Sequence, residues 1–113
     1  MLSIEKLREY GADVDEGLTR CLGNEAFYLQ LCGMMLKDDN LQKLEEALAA
    51  NDLDKAFEAA HALKGVAGNL SLTPIYEPAA EITELLRSRT QMDYSEMFGL
   101  LKEREEAFRR LSE

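Results

Sequence analysis

The chain has no tryptophan, one histidine, two cysteines and two prolines among its 113 residues. Each scarcity closes off a class of function. His61 with Cys21 and Cys32 is too small a set for a Cys/His zinc site of ordinary ligand count, so no metal is expected. Any histidine chemistry has to run through His61. Cations are scarce too: 13 Lys+Arg stand against 22 Asp+Glu, a net charge of −9. That balance argues against nucleic acid, whose phosphates need clustered Lys and Arg. It argues equally against an anionic membrane surface. No apolar run reaches the roughly 18 residues that would suggest a membrane span. The opening MLSIEKLREYG has neither a basic n-region nor an apolar h-region, so no secretory signal is expected. Cys21 and Cys32 have apolar neighbours in helical stretches and are expected as buried, reduced thiols. Together these features predict a cytoplasmic protein.

What remains is helix former. Ala, Leu, Glu and Lys dominate, and β-branched residues never alternate over the length of a strand. The apolar fraction of 46% with 31% charged residues is a globular balance, and the length suits one domain over 1–113. Short N-terminal helices are expected over about 3–22. Ser3 caps the first and Gly11 ends it; Asp13 precedes the second, with Val14, Leu18, Cys21 and Leu22 on one side. A bundle is expected over about 24–112. Asn24 can cap its first helix, whose apolar stripe is Phe27, Leu31 and Met34, continued by Leu41, Leu44 and Leu48. This stretch is either one helix to about Ala50 or two meeting at Asp38-Asp39-Asn40, and three poor helix formers in a row favour the break. Asp52 caps the next helix, over about 53–70. Thr73 at N-cap and Pro74 at N1 open another, which kinks at Pro78 or becomes regular only there. Asp93 with Glu96 forms a cap for the last helix, whose stripe is Tyr94, Met97, Leu101, Phe108 and Leu111. Four amphipathic helices with short connections predict an all-α fold, an antiparallel up-and-down four-helix bundle with short additional N-terminal helices.

The helix that carries His61 has a distinctive strip. At about 100° per residue, Leu53, Ala56, Ala60, Leu63, Ala67 and Leu70 fall in one sector, and His61 lies about 130° from its centre. His61 therefore points outward. Phe57 is one turn before it, Lys64 and Gly65 one turn after, and Gly68 two turns after. Two glycines inside a helix cost about 1 kcal/mol each relative to alanine. Close helix packing would explain them. So would access, since bare backbone beside an exposed imidazole lets another protein's surface approach the ring. Spacing alone leaves open a merely solvated histidine and a functional one.

The segment AHALKGVAGNL, residues 60–70, resembles the signature of histidine-containing phosphotransfer (HPt) domains: His61, Leu63, Lys64, Gly65 and Gly68-Asn69 all fit. The resemblance extends to the layout of most of the chain. It departs at Ser71, where the family commonly has glycine, at Thr83, where it often has Gln or Glu facing the histidine, and at Pro78.

The resemblance implies a freestanding phosphorelay intermediate of two-component signalling. His61 would accept a phosphoryl group and exchange it with a receiver-domain aspartate, with a sensor or hybrid histidine kinase upstream. Imidazole suits this because a neutral, nucleophilic form is abundant at neutral pH. Lys64 would offset phosphoryl charge, and Gly65 and Gly68 would keep the approach open. Thr83 is a candidate for orienting the ring. Phe57, Val66 and Leu72 are the candidate partner-binding residues. Gly65-Val66-Ala67-Gly68 lies inside a helix and is no nucleotide-binding loop, so neither an ATP site nor a cofactor is expected here, and Mg²⁺ belongs to the receiver. A monomer is the expected state. Two other readings compete: a helical adaptor that binds a signalling partner without being phosphorylated, and an acidic inhibitor or scaffold supported only by charge.

Overall fold

The computed structural model describes residues 1–113 and contains helices and no strand. The helices are α1 (Ile4–Tyr10), α2 (Val14–Arg20), α3 (Glu25–Met34), α4 (Asn40–Ala49), α5 (Leu53–Asn69), α6 (Thr73–Arg87) and α7 (Ser95–Arg110), with a 3-10 turn over Met35–Lys37. Helices α4 to α7 pack in chain order, α4 on α5, α5 on α6 and α6 on α7. Their connections are short, so they run up and down as predicted. The core is mostly aliphatic, with Leu44, Ala56, Leu63, Ile82 and Leu101 fully buried beside the aromatic rings of Tyr28 and Phe108. The alanines on α5 let α4 and α6 approach its backbone closely.

The N-caps of the first helices follow the sequence. Ser3, Asp13, Asn24 and Asp52 each accept the backbone N–H three residues on, satisfying donors the helix leaves free. The chain also breaks at 38–40. Asp38 accepts the Asn40 amide at 3.1 Å, which ends the 3-10 turn and starts α4 anew.

The helix ends show a repeated device. The C-termini of α1, α2, α4, α5 and α6 close with paired hydrogen bonds of the Schellman type. The residue at the left-handed position is Gly11 in α1 but Leu22, Asn51, Ser71 and Arg89 in the others, all with φ between 52° and 57°. A non-glycine residue pays about 1 kcal/mol of steric strain there. The motif at α5 also decides where α6 begins. Leu72 donates its N–H to Ala67 at 2.9 Å and accepts the Tyr76 N–H at 2.9 Å. It is therefore the last link of one helix and the N-cap of the next. Thr73 is accordingly the first residue of α6 rather than its cap, and Pro74 follows it.

Four further expectations are corrected. Pro78 does not delay α6, which is helical from Thr73 and continues through the proline. Its missing N–H leaves the Pro74 carbonyl free, and Arg104 of α7 donates to that oxygen at 3.1 Å. Asp93 does not form the expected cap with Glu96. It accepts the amide and hydroxyl of Ser95 instead, which holds its carboxyl below the usual range, and Tyr94 is the N-cap. The inward face of α3 is also one residue off the predicted stripe. Tyr28, Cys32 and Met35 are buried, whereas Phe27 and Met34 are exposed. The helix is apolar nearly all round, so periodicity could not choose a face. Tyr28 chose it: its hydroxyl donates to the buried Leu70 carbonyl at 2.8 Å. Leu22 likewise lies outside, at 96% exposure, because the left-handed turn swings it away from Cys21.

Candidate functional site

His61 sits midway along α5, on the exposed side, with the fully buried Ala60 beside it in sequence and Ala56 one turn below. Its direct neighbour is Phe57. The two rings are stacked, with centroids 5.5 Å apart and planes inclined by 16°. This follows from the i, i+4 spacing, which puts both side chains on one strip. The guanidinium carbons of Arg87 and Arg89 lie 5.1 Å and 4.8 Å from the Phe57 ring centre. Arg89 is held in turn by Asp54, at 2.7 Å, and by the Leu86 carbonyl, at 2.8 Å.

Lys64 is one turn further on. Its ammonium stands 3.9 Å from Glu84 of α6, at the outer limit of an ion pair. Such a pair between solvated groups is weak, about 0–1 kcal/mol, and leaves the ammonium free to reorient. Glu84 is shared with Arg87 at 3.3 Å.

The two glycines separate in role. A Cβ added at Gly65 would meet nothing within 4 Å, and this turn of backbone is open to solvent. A Cβ at Gly68 would stand 3.1 Å from the Tyr76 ring of α6. Packing accounts for Gly68 and does not account for Gly65.

Beside His61 the surface dips into an open groove between α2, α5 and the start of α6. Asp13, Glu16, Arg20, Asn69, Tyr76 and Glu77 are among its walls, with Lys64, Gly65 and Gly68 on the α5 side. Glu16 joins these elements: it pairs with Arg20 at 3.2 Å and accepts the Ser71 hydroxyl at 2.9 Å. The departure from glycine at position 71 thus brings a hydrogen bond that glycine could not make.

The remaining candidates divide. Val66 and Phe57 are partly buried, packed against the core with an edge in solvent. Leu72 is fully buried, so it offers no surface to a partner and is a core residue. Thr83 is also fully buried, and its hydroxyl donates to the Ala79 carbonyl at 2.6 Å. It follows its own helix rather than the imidazole. Arg87, Arg89, Glu84 and Tyr76 were not anticipated. The i−4 position of Phe57 was the one visible signal; the arginines come from the far end of α6 and leave no local pattern.

Cys21 and Cys32 are free and buried, and burial raises the Cys32 thiol to about 11. A thiol so shifted is inert at neutral pH. No helix is long and apolar enough to cross a membrane.

Comparison with known families gives one finding. The family model described as Hpt domain matches residues 37–111, from the 3-10 turn to the end of α7. Neither the curated proteins nor the solved structures provide a match. The matched part contains α4 to α7 and the whole His61 strip, while α1 to α3 lie before it. A match over about two thirds of the chain, on a helical bundle that exposes the signature histidine, establishes that this protein belongs to the Hpt domain family, whose role is phosphotransfer in two-component signalling.

Proposed function

We propose that this protein is a phosphorelay intermediate in which His61 takes a phosphoryl group from a receiver-domain aspartyl phosphate, or from a histidine kinase, and passes it to another receiver. The observation that carries the reading is the exposed His61 ring one turn from the open backbone of Gly65. A ring nitrogen, Nε2 in this reading, attacks phosphorus with its lone pair. The N–P bond forms as the P–O bond of the acyl phosphate breaks, and that electron pair leaves on the donor carboxylate. The positive charge gained by the ring is discharged when the proton on Nδ1 passes to water. Transfer onward reverses these steps at a second aspartate.

In-line transfer between two proteins depends on approach and orientation. Gly65 keeps the approach open, and Gly68 does so indirectly by letting the Tyr76 ring come close to α5. Lys64 exchanges its loose contact with Glu84 for the phosphoryl oxygens. Val66 and the exposed edge of Phe57 meet the partner. Mg²⁺ is supplied by the receiver, and the protein acts in the cytoplasm as a monomeric carrier rather than as an enzyme.

The test is labelling. The protein is mixed with receiver domains loaded from acetyl [³²P]phosphate, and acid-labile, base-stable label is sought. His61→Gln, with helicity checked by circular dichroism, is expected to take none. Label persisting in that variant would remove His61 from the role. A wild-type protein that binds receivers without taking label would instead be an adaptor.

A further inference from the structure

We propose that Phe57 is a positioning residue for His61. Its stacked ring sets the plane of the imidazole, and Arg89 and Arg87 hold that ring in place. The inference rests on the phosphocarrier reading of His61. It begins with a missing partner. Thr83 is buried and bonded within α6, so it leaves the imidazole unheld. An exposed side chain on a helix otherwise samples several rotamers, and only some of them aim a ring nitrogen outward. Phe57 covers one face of the ring at 5.5 Å and 16°, a near-parallel offset arrangement. A ring stacked in this way keeps both its nitrogens at the edge, where a phosphoryl group can reach them.

Phe57 can act as a reference only if it is itself fixed. Two guanidinium groups within about 5 Å of its centre do this by cation–π attraction. Arg89 is the firmer of the two. Its Nε donates to Asp54 at 2.7 Å, and its Nη1 donates to the Leu86 carbonyl at 2.8 Å. Its backbone takes the left-handed conformation, φ 52°, at the end of α6, where glycine would be unstrained. The strained residue is therefore the one whose side chain comes nearer to the centre of the Phe57 ring. A connected run of contacts leads from Asp54 through Arg89 and Phe57 to His61. Asp54 lies about two turns and Phe57 one turn before the histidine on the same helix, so the run returns to α5 by way of the end of α6.

Positioning and docking differ in what they change. The test compares wild type with Phe57→Leu, Phe57→Tyr and Arg89→Gln. In solution NMR, the His61 ring protons are expected upfield in wild type and Phe57→Tyr, from the ring current, and shifted back in Phe57→Leu. Unchanged shifts in Phe57→Leu would mean that no stack exists and would overturn the inference. Transfer is then measured at saturating receiver domain, using the receiver that labels wild type fastest. Phe57→Leu is expected to lower the maximal rate about tenfold, with a much smaller rise in KM from the lost edge contact. Phe57→Tyr should restore the rate, and Arg89→Gln should fall between. Chemical phosphorylation of His61 by phosphoramidate, which needs no docking, should proceed equally in all four proteins. A raised KM with an unchanged maximal rate would make Phe57 a docking residue only, and an equal loss with phosphoramidate would mean altered nucleophilicity; either overturns positioning. Label with unaltered rates in Phe57→Leu overturns this inference alone, whereas no label on wild type overturns the phosphocarrier reading and takes this inference with it.

Discussion

The Tyr28 hydroxyl donates a 2.8 Å hydrogen bond to the carbonyl of Leu70, fastening α3 to the end of the helix that carries His61. Both groups are buried. The bond satisfies a carbonyl that the end of α5 would otherwise leave without a partner. It also requires Gly17, because a Cβ there would stand 2.4 Å from the Tyr28 ring. The N-terminal helices therefore support the end of α5 and form one wall of the groove beside the histidine.

Gly17→Ala and Tyr28→Phe test that support. The added methyl cannot be accommodated without moving the Tyr28 ring, and about 2 kcal/mol or more of stability should be lost. Tyr28→Phe leaves the Leu70 carbonyl unpaired and should cost about 1–3 kcal/mol. Urea unfolding monitored by circular dichroism measures both. A neutral Gly17→Ala would mean that α2 and α3 are not packed as described.

Gly65 should behave in the opposite way. Its position is open, so Gly65→Ala should stabilise the helix by up to about 1 kcal/mol. Gly65→Gln should also fold normally but slow transfer to a receiver domain, because its side chain stands in the path of approach. Thermal unfolding and single-turnover labelling check the pair. Unchanged transfer in Gly65→Gln would show that this bare turn is not what the partner needs.

Ser71 combines strain with a bond. Ser71→Gly should relieve the φ of 57° but lose the hydrogen bond to Glu16, leaving stability within about 0.5 kcal/mol of wild type. Ser71→Ala loses the bond and keeps the strain, and should cost about 1 kcal/mol. Comparing the two by denaturant midpoint separates the terms. A Ser71→Ala as stable as wild type would show that the bond contributes nothing.

Glu105 predicts a pH dependence. It is 1% exposed, and burial raises its carboxyl above the usual range despite the Arg109 guanidinium at 2.8 Å. One of its oxygens has no partner. The folded state thus holds this proton more tightly than the unfolded chain does. Its contribution is most favourable below the unfolded value, about pH 4.3. It declines as the pH rises through the higher folded value. Glu105→Gln should therefore show a shallower loss of stability than wild type from about pH 4 upward. Arg109 also donates to the Leu36 and Asp38 carbonyls, which keep it engaged in the variant. Parallel denaturation series across that range provide the measurement, and identical slopes would contradict the assignment.

The helices, most of their N-caps, the outward aim of His61 and the family signature around it could all be read from the order of the residues alone. These depend on local chemistry: a 3.6-residue period, a side-chain oxygen three residues before an amide, a glycine where a helix would not choose one. Packing between helices selected which face of α3 turned inward, because apolar residues surround that helix and the Tyr28–Leu70 bond made the choice. It likewise continued α6 through Pro78, since Arg104 came from another helix to the freed carbonyl. It also withdrew Thr83 and Leu72 into the core and brought Arg87 and Arg89 to Phe57. Such contacts join residues about thirty or more positions apart, and no local pattern encodes them. The lone histidine was legible from the start; what surrounds its ring was settled by packing between helices.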